Sequence, residues 1–250
     1  MKINKEERID DLQCDNLKII QDKNGFCYGI DSVLLSDYAR EVKDSDTVLD
    51  LGTGTGVLGL LIYGKRKPVN IIGIEIQKEV AEMAKKSIKL NHIENVFKIY
   101  NENIKDIIKK EIIKNNSIDV IISNPPYKEK STGIENENEK KLISRHEITA
   151  DLEDFISISF QALKEKGILY MVHRPERLVD LLFLLRKYKI EPKEIRFVSP
   201  IRGKSPNLVL IKAVKNGKKF LKIEDQLYVY DNIGEYSEEI KKIYNIKNNY

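Results

Sequence analysis

A glycine-rich segment between a strand-like run and a helix-like run restricts the fold more than any other feature of this chain. The run Thr47–Leu51 leads into Gly52-Thr53-Gly54-Thr55-Gly56, and the helix-like Val57–Tyr63 follows. Glycines permit a tight turn and a close backbone approach to a ligand, and the next helix N-terminus offers unpaired N–H groups. About twenty residues later the strand-like Ile71–Glu75 ends in an acid that is placed to accept hydrogen bonds from a ribose diol. The spacing is Gly-x-Gly-x-Gly rather than the Gly-x-Gly-x-x-Gly of dinucleotide-binding enzymes.

A second strand-like run ends abruptly in two prolines. The β-branched run Ile118–Ser123 continues into Asn124-Pro125-Pro126-Tyr127. Proline fixes φ, lacks a backbone N–H and biases the preceding residue toward extended geometry. The result is a stiff elbow that can hold a flat molecule carrying an amino group. Asn124 and the Pro125 carbonyl would accept its two N–H hydrogens, and Tyr127 would cover its face. Alone, the same four residues also fit a proline-rich turn after a core strand.

Strand-like and helix-like runs alternate through most of the chain. Predicted strands cover 96–101, 118–123 and 167–173, and predicted helices cover 77–90, 104–113, 151–164 and 175–189. This alternation predicts an α/β fold with a mainly parallel sheet and helices on both faces. Two closing strands, 194–199 and 207–215, are predicted to form an antiparallel pair at the sheet edge. Asn24-Gly25 predicts a hairpin over residues 17–30, after which Asp31 or Ser32 would cap a helix to about Glu41.

Composition excludes several classes of protein. The 250 residues suit one α/β domain with modest additions, and a net charge of +4 says little about partners. Cys14 and Cys27 form neither a disulfide framework nor a zinc site, so no metal is expected. The charged start Met1–Asp11 does not fit a signal peptide, and no apolar stretch is long enough to span a membrane. We therefore expect a cytoplasmic protein without a membrane partner, and a monomer.

The combination of glycine segment, acid and proline elbow resembles the class I S-adenosylmethionine-dependent methyltransferases that methylate an amino nitrogen. Further segments resemble the bacterial valine-tRNA adenine-N6-methyltransferase family, which modifies the adenine just 3′ of the anticodon. The resemblance covers roughly residues 5 to 230. It implies a Rossmann-like fold with a seven-stranded, mostly parallel sheet, an antiparallel last strand and an N-terminal hairpin. The finer assignment depends on the segments Glu7–Leu12, Leu17–Gln21, Phe26–Leu35 and Arg145-His146-Glu147.

The resemblance also implies a set of residues that bind S-adenosylmethionine, which is released as S-adenosylhomocysteine. The glycine segment would lie under the methionine part of the donor, Glu75 would hold the ribose, and Asn103-Ile104 would flank the adenine. Family members commonly have aspartate at the position of Asn103, so this contact lacks a charge here. Tyr28-Gly29-Ile30-Asp31 would close over the methionine end, although Asp31 fits a simple helix cap equally well. The full predicted set is Tyr28, Gly29, Asp31, Asp50, Gly52, Thr53, Gly54, Gly56, Glu75, Ile76, Asn103, Ile104 and Asn124.

For the substrate, the resemblance implies a tRNA adenine that is turned out of its loop. Asn124, Pro125, Pro126 and Tyr127 would hold it, and positioning would be the main catalytic effect. The polar stretch from Lys128 to Thr149 would be a flap over the acceptor, because loops this long are usually functional lids or disordered. Candidate RNA contacts are Lys128 and Arg145 in this flap, and Arg202 and Lys204 in the last turn, with Arg174 and Arg177 beside them.

Rival functions and domain limits complete the prediction. The elbow is shared with the family that methylates a glutamine amide in release factors, but only about 46 residues precede the first core strand, too few for that family's N-terminal domain. Methylation of an rRNA guanine or a DNA adenine, or a non-catalytic donor- or RNA-binding module, also remain open. The predicted domains are an N-terminal hairpin extension over residues 1–30, the methyltransferase domain over 31–215, and a C-terminal appendage and tail over 216–250.

Overall fold

The computed structural model describes residues 4–24, 28–127, 150–232 and 234–245, and within these ranges a ten-stranded sheet forms the centre of the molecule. The strands are β1 (Glu7–Asp11), β2 (Lys18–Asp22), β3 (Thr47–Leu51), β4 (Asn70–Glu75), β5 (Phe97–Asn101), β6 (Ile118–Ser123), β7 (Leu163–His173), β8 (Ile190–Ile201), β9 (Leu208–Lys215), β10 (Lys222–Ile223), β11 (Leu227–Asn232) and β12 (Glu235–Tyr236). The order along the main path of the sheet is β12-β11-β8-β9-β7-β6-β3-β4-β5, and β10 pairs with β8 off this path. The pairs of β3 with β4 and β6, of β4 with β5, and of β6 with β7 are parallel, as predicted.

Helices cover both faces of this sheet, because alternate residues of each strand point to opposite sides. The helices are α1 (Ile30–Tyr38), α2 (Val57–Arg66), α3 (Lys78–Leu90), α4 (Leu152–Ala162), α5 (Leu178–Lys187) and α6 (Glu238–Ile243). In β3, Val48 packs into the core shared with α1, α2 and α3, whereas Leu49 and Leu51 pack into the core shared with α4 and α5. None of the helices in the described ranges is long and apolar enough to cross a membrane. The predicted α/β fold is confirmed.

An N-terminal hairpin is present and consists of β1 and β2, whereas the predicted turn at Asn24-Gly25 lies partly outside the described residues. Strand β2 pairs with β1, with Ile9 opposite Ile20, so the connection runs through residues 12–17. Residues 28 and 29 are not in a strand, and α1 begins at Ile30. The pairing with β1 is favoured because it lets Ile19 and Ile20 be completely buried. The hairpin is attached to α3, since the Ile20 N–H donates to Ser87 Oγ at 2.9 Å.

Strand β9 is antiparallel, as predicted, but its expected place at the sheet edge is wrong. It lies between β7 and β8 and runs antiparallel to both. Strand β8 therefore lies outside β9, and the chain beyond residue 216 continues the sheet past β8: β11 pairs in parallel with β8, and β12 pairs with β11. The seven strands of the predicted sheet are therefore extended by three short strands on the β8 side.

The predicted helix over residues 104–113 is also wrong. Only a 3-10 turn, Ile104–Asp106, is formed, and Glu111 has a left-handed φ of 55°. The N–H groups of Ile112 and Ile113 both donate to the Ile107 carbonyl, which closes a loop instead of continuing a helix. This path buries Ile107 and Ile113 in the core beside α4, and burial of these side chains decides the local conformation over helix propensity.

Candidate functional site

The carboxyl ends of the parallel strands meet along one edge of the sheet, and the predicted site residues lie along that edge. The glycine loop follows β3, Glu75 ends β4, Asn103 follows β5 and Asn124 follows β6. Ligands in open α/β sheets bind at this edge, where the strand order changes direction. Here the order changes at β3, whose neighbours are β4 and β6. The fold therefore brings the glycine loop and the proline elbow to adjacent strands.

The glycine loop is a tight backbone turn with free space above its centre. Gly52 and Gly56 have φ of 72° and 84°, in the left-handed region that other residues avoid. The N–H groups of Gly52 and Thr53 both donate to the Ile74 carbonyl at 3.0 Å, which fixes the loop to β4. A Cβ added at Gly54 would meet no atom of the described residues within 4 Å. This open space over the loop fits a ligand that lies against backbone.

Glu75 joins the loop to the second strand. Its Oε2 accepts the N–H of Gly54 at 3.0 Å, its Oε1 accepts the N–H of Gln77 at 2.8 Å, and the residue is only 6% exposed. A carboxylate only accepts hydrogen bonds, and the hydroxyl groups of a ribose diol are donors. The carboxylate is thus held at the loop, and its chemistry suits a ribose diol.

Asp50 and Thr53 lie beneath the loop. The Asp50 carboxylate is 1% exposed and accepts the Thr53 hydroxyl at 2.6 Å and the Gly59 N–H at 3.2 Å. Burial raises the pKa of Asp50 to about 7, and these two hydrogen bonds oppose the shift. Both side chains act on the shape of the loop and on the start of α2.

At the far side of the loop, the residues that follow β4 and β5 differ in how exposed their side chains are. The Asn103 side-chain oxygen accepts the Lys105 N–H at 3.0 Å and thereby caps the 3-10 turn. Ile104 is 6% exposed and packs into the core, so only its backbone can face a ligand. Ile76, in contrast, is 41% exposed directly after Glu75. An exposed apolar side chain at this point can cover the face of a purine.

The elbow residues form a hydrogen-bonded group with the start of α1. Asn124 Nδ2 donates to Asp31 Oδ2 at 3.2 Å, and the Tyr127 hydroxyl lies 2.9 Å from the same oxygen and 2.7 Å from Asn124 Oδ1. The N-cap of α1 is Gly29, and no side chain caps it. The interpretation of Asp31 as a helix cap is therefore wrong, because its carboxylate is turned toward the elbow.

Two residues at the end of β7 support the Tyr127 ring. The His173 ring packs against it edge-on at 5.3 Å, and the Arg174 guanidinium lies over it at 4.9 Å. His173 is 1% exposed, and burial lowers its pKa to about 4, so the imidazole is neutral. Burial, followed by the nearby Asp31, raises the pKa of Tyr127, so its hydroxyl stays protonated. The elbow aromatic thus has a fixed ring and a hydroxyl that donates.

The N-terminal hairpin reaches the site through Tyr28. The Tyr28 N–H donates to Gln21 Oε1 at 2.9 Å, and Gln21 Nε2 donates to Asp10 Oδ2 at 2.6 Å. Gln21 is 1% exposed, so this polar connection is buried. The hairpin thereby fixes the segment that precedes α1.

The predicted basic rim divides into parts with different roles. Arg174 donates to the Asn207 carbonyl at 2.9 Å, which connects the elbow to the turn after β8. In that turn Arg202 lies over the Tyr228 ring at 4.8 Å, and Lys204 is exposed. Arg177 is paired with Asp180 of α5 at 2.7 Å. Lys128, Arg145 and the predicted flap 128–149 lie outside the described residues.

Sequence reasoning missed Gln21, His173 and Arg174 as supports of the site. His173 and Arg174 end the strand that follows the elbow strand, and this position at a carboxyl end was the available signal. Gln21 carries no such signal, since its role depends on how the hairpin packs. Across the part of the chain that the structure describes, no group of three or more His, Cys, Asp or Glu residues could hold a metal ion.

Comparison with known proteins agrees with this geometry. The family described as "Methyltransferase domain" matches residues 42–223, which is most of the chain. This chain belongs to the methyltransferase domain family. Its methyl donor is S-adenosylmethionine, as the sequence resemblance implied. The donor side fits this group, with open space over Gly54, a carboxylate at Glu75 and an exposed Ile76.

Individual relatives show where the methyltransferase similarity is broad and where it is local. The chain is 29% identical over 232 residues to a tRNA1(Val) (adenine(37)-N6)-methyltransferase from Histophilus somni, covering 90% of this chain and 91% of that protein. It is 38% identical over 84 residues to a release factor glutamine methyltransferase from Aliivibrio fischeri, covering 34% and 28%. The crystal structure of a predicted O-methyltransferase from Agrobacterium tumefaciens has a TM-score of 0.68 to this chain at 16% identity. The match covers 86% of this chain and 95% of that one. That last similarity concerns the fold.

Proposed function

We propose that this methyltransferase transfers a methyl group to the exocyclic N6 of an adenine in the anticodon loop of a tRNA. The observation that supports it is the elbow, where the Tyr127 hydroxyl lies 2.7 Å from Asn124 Oδ1 at the end of β6, the strand that pairs with β3 before the glycine loop. The broad similarity to a tRNA adenine-N6-methyltransferase supports adenine 37 of a valine tRNA as the substrate.

On the donor side, we assign binding to the residues that face the open space over the loop. Glu75 would hold the ribose, Ile76 would cover the adenine, and the backbone at Gly54 would lie against the methionine part. Asn103 and the Ile104 backbone would contact the adenine edge, and Tyr28 with Gly29 would close the methionine end. Asp50 and Thr53 would act through the shape of the loop, with Gly52 and Gly56 allowing its turn. The donor supplies an electrophilic methyl group.

On the acceptor side, the elbow would prepare the amine for attack. The lone pair of an adenine amine is delocalised into the ring. Acceptance of its two N–H hydrogens by Asn124 Oδ1 and the Pro125 carbonyl draws the nitrogen toward tetrahedral geometry and exposes that lone pair. Pro126 keeps the elbow stiff, and Tyr127 covers the ring. The amine proton becomes acidic only after methyl transfer, so a strong base is unnecessary. Orientation of this kind can supply about 7–11 kcal/mol.

A second candidate is methylation of a glutamine amide in a release factor, because the local match to such an enzyme reaches 38% identity. That match covers only 34% of the chain, whereas the match to the tRNA enzyme covers 90%. A glutamine amide also carries an NH2 group that the elbow could hold. The two substrates therefore need a direct comparison.

The test is mass spectrometry of nucleosides from tRNA incubated with the protein and isotopically labelled donor. We expect label in N6-methyladenosine, and loss of the label when adenine 37 of a valine tRNA transcript is replaced by guanine. Asn124→Ala should abolish the transfer, whereas Asn115→Ala, an exposed asparagine before the opposite end of β6, should not. Label only in guanosine, or only in a release-factor protein offered in parallel, would contradict the proposal.

A further inference from the structure

The side-chain amide of Asn124 has two different ends, and only one of them can help an amine react. An amino substrate offers N–H donors, so it needs the carbonyl oxygen Oδ1 and would be repelled by the NH2 end. An asparagine amide can turn by 180° with little change in shape. A productive elbow therefore needs a neighbour that distinguishes the two ends.

Asp31 is such a neighbour. A carboxylate only accepts hydrogen bonds, and Asp31 Oδ2 lies 3.2 Å from Asn124 Nδ2. If the amide turned over, Oδ1 would face this oxygen and two acceptors would meet. Asp31 lies in the first turn of α1, where the helix dipole favours a negative charge. The carboxylate thus selects the orientation in which Oδ1 points away from α1.

The Tyr127 hydroxyl occupies the side toward which Oδ1 points. It lies within hydrogen-bond distance of two acceptors, Asp31 Oδ2 at 2.9 Å and Asn124 Oδ1 at 2.7 Å, but it has a single hydrogen. Hydrogen bonds to ionised groups are roughly twice as strong as neutral ones. Asn124 Oδ1 has two acceptor positions, so one of them stays available to an incoming N–H whichever acceptor takes the Tyr127 hydrogen.

Gly29 gives the Asp31 carboxylate the room it needs. A Cβ added at position 29 would lie 2.5 Å from Asp31 Oδ1, and the Asp31 side chain is all that it would meet. The backbone at Gly29 has φ of −93°, which any residue adopts. An alanine at this position would consequently displace the carboxylate without straining the backbone.

We propose that Asp31 is a positioning residue, whose carboxylate holds the Asn124 amide with Oδ1 facing the amino group of the substrate. The inference builds on the proposed function, but it requires only that the acceptor is an NH2 group. It is separate from any contact that the segment from Tyr28 to Asp31 makes with the methyl donor.

The first experiment exchanges the carboxylate of Asp31 and the amide of Asn124 between the two positions. Asp31→Asn removes the strict acceptor and lets the amide turn over, so kcat should fall about 10- to 100-fold, as misplacement of a reacting group does. Asn124→Asp alone places two carboxylates together and should be similarly impaired. The double variant D31N/N124D restores an N–H···O pair with an acceptor toward the substrate, so it should exceed both single variants by tenfold or more. Asp37→Asn, on the same helix and facing Lys65, is the matched control and should keep full activity.

A second set of variants separates positioning from donor binding. Isothermal titration of the donor should give a Kd for D31N within about twofold of wild type, so that the loss lies in kcat. Gly29→Ala should lower kcat like D31N while the midpoint of urea unfolding changes little.

An NMR measurement without substrate tests the contact between Asp31 and the Asn124 amide independently of activity. In 15N-labelled protein, the Asn124 side-chain amide is assigned by its disappearance in N124A. D31N should shift its proton resonances, and D37N should not. If wild type methylates no adenine, the proposed function fails, yet this spectrum still tests Asp31. Unchanged Asn124 amide resonances in D31N, a swap variant no better than the single ones, or a defect confined to donor Kd would overturn the inference.

Discussion

His173 supports the elbow as a buried, neutral imidazole. Its Nδ1 accepts the Arg174 N–H at 2.8 Å, and its ring edge contacts the Tyr127 ring. Burial is the largest cause of its lowered pKa, and the neighbouring Arg177 and Arg174 add to the shift. Protonation of this ring therefore opposes the folded state.

The stability of the protein should consequently depend on pH through His173. The pKa is about 6.5 in the unfolded chain and about 4 in the folded one, so the unfolded state binds more protons in this window. The contribution is fully present above pH 6.5 and is lost as pH falls toward 4, by up to about 3 kcal/mol. We expect His173→Gln to flatten the fall in unfolding free energy between pH 7 and pH 4.5. Urea denaturation at several pH values measures it, and parallel curves for both proteins would refute the assignment.

At the scale of elements, a stack of three tyrosines attaches β12 and the end of α6 to β11 within the C-terminal appendage. Tyr236 of β12 lies between Tyr230 of β11 and Tyr244 after α6, with ring centroids 5.2 and 5.7 Å apart and nearly parallel planes. Burial raises the pKa of Tyr244, and Tyr236, Tyr28 and Asp31 add to the shift. The stack therefore connects β11, β12 and the residue that follows α6.

Removal of the central ring should loosen this attachment. Tyr236→Leu keeps apolar volume but removes two aromatic contacts, each worth about 0.5–1.5 kcal/mol. We expect the free energy of unfolding to fall by about 1–3 kcal/mol in urea denaturation. Tyr100→Leu, 36% exposed on β5 at the opposite edge, should change it by less than about 0.5 kcal/mol. Equal effects of the two substitutions would show that the stack contributes nothing beyond ordinary packing.

For the whole molecule, the sheet edge extends well past the elbow on the acceptor side. Strands β7, β9, β8 and β11 follow β6 in order, and the turn that carries Arg202 and Lys204 connects β8 to β9. With strands about 4.8 Å apart, this turn lies roughly 10–14 Å from the elbow along the edge. Arg174 connects the two points, since it covers Tyr127 and bonds Asn207. RNA held at the elbow would pass this turn.

Replacement of Arg202 and Lys204 should weaken binding to tRNAs of every sequence. With Arg202→Ala and Lys204→Ala we expect a weaker Kd and a slope of log Kd against log salt smaller by about 1.5, since each lost phosphate contact removes 0.7–0.9. Lys85→Ala with Lys89→Ala, exposed on α3 at the donor side, is the matched control for net charge. Filter binding at several salt concentrations measures both. An unchanged slope would remove the turn from the RNA interface.

Local patterns predicted much of this architecture because they act over short distances. The strand Thr47–Leu51, the glycine turn and the elbow strand Ile118–Ser123 were predicted with their observed bounds, since residue type alone dictates a buried strand and a left-handed turn. Residues 104–113 misled, because burial of Ile107 outweighed local helix propensity.

The sequence by itself determined the α/β fold, the order of its core strands in the chain, and which residues lie at the carboxyl ends of those strands. Only the tertiary structure decided that Asp31 meets Asn124, 93 residues away, that His173 and Arg174 support Tyr127, and that the chain beyond residue 216 extends the sheet. The physical reason is that propensity and turn chemistry are local. Contacts between distant residues depend on how whole elements pack, and a single sequence carries no periodic sign of them.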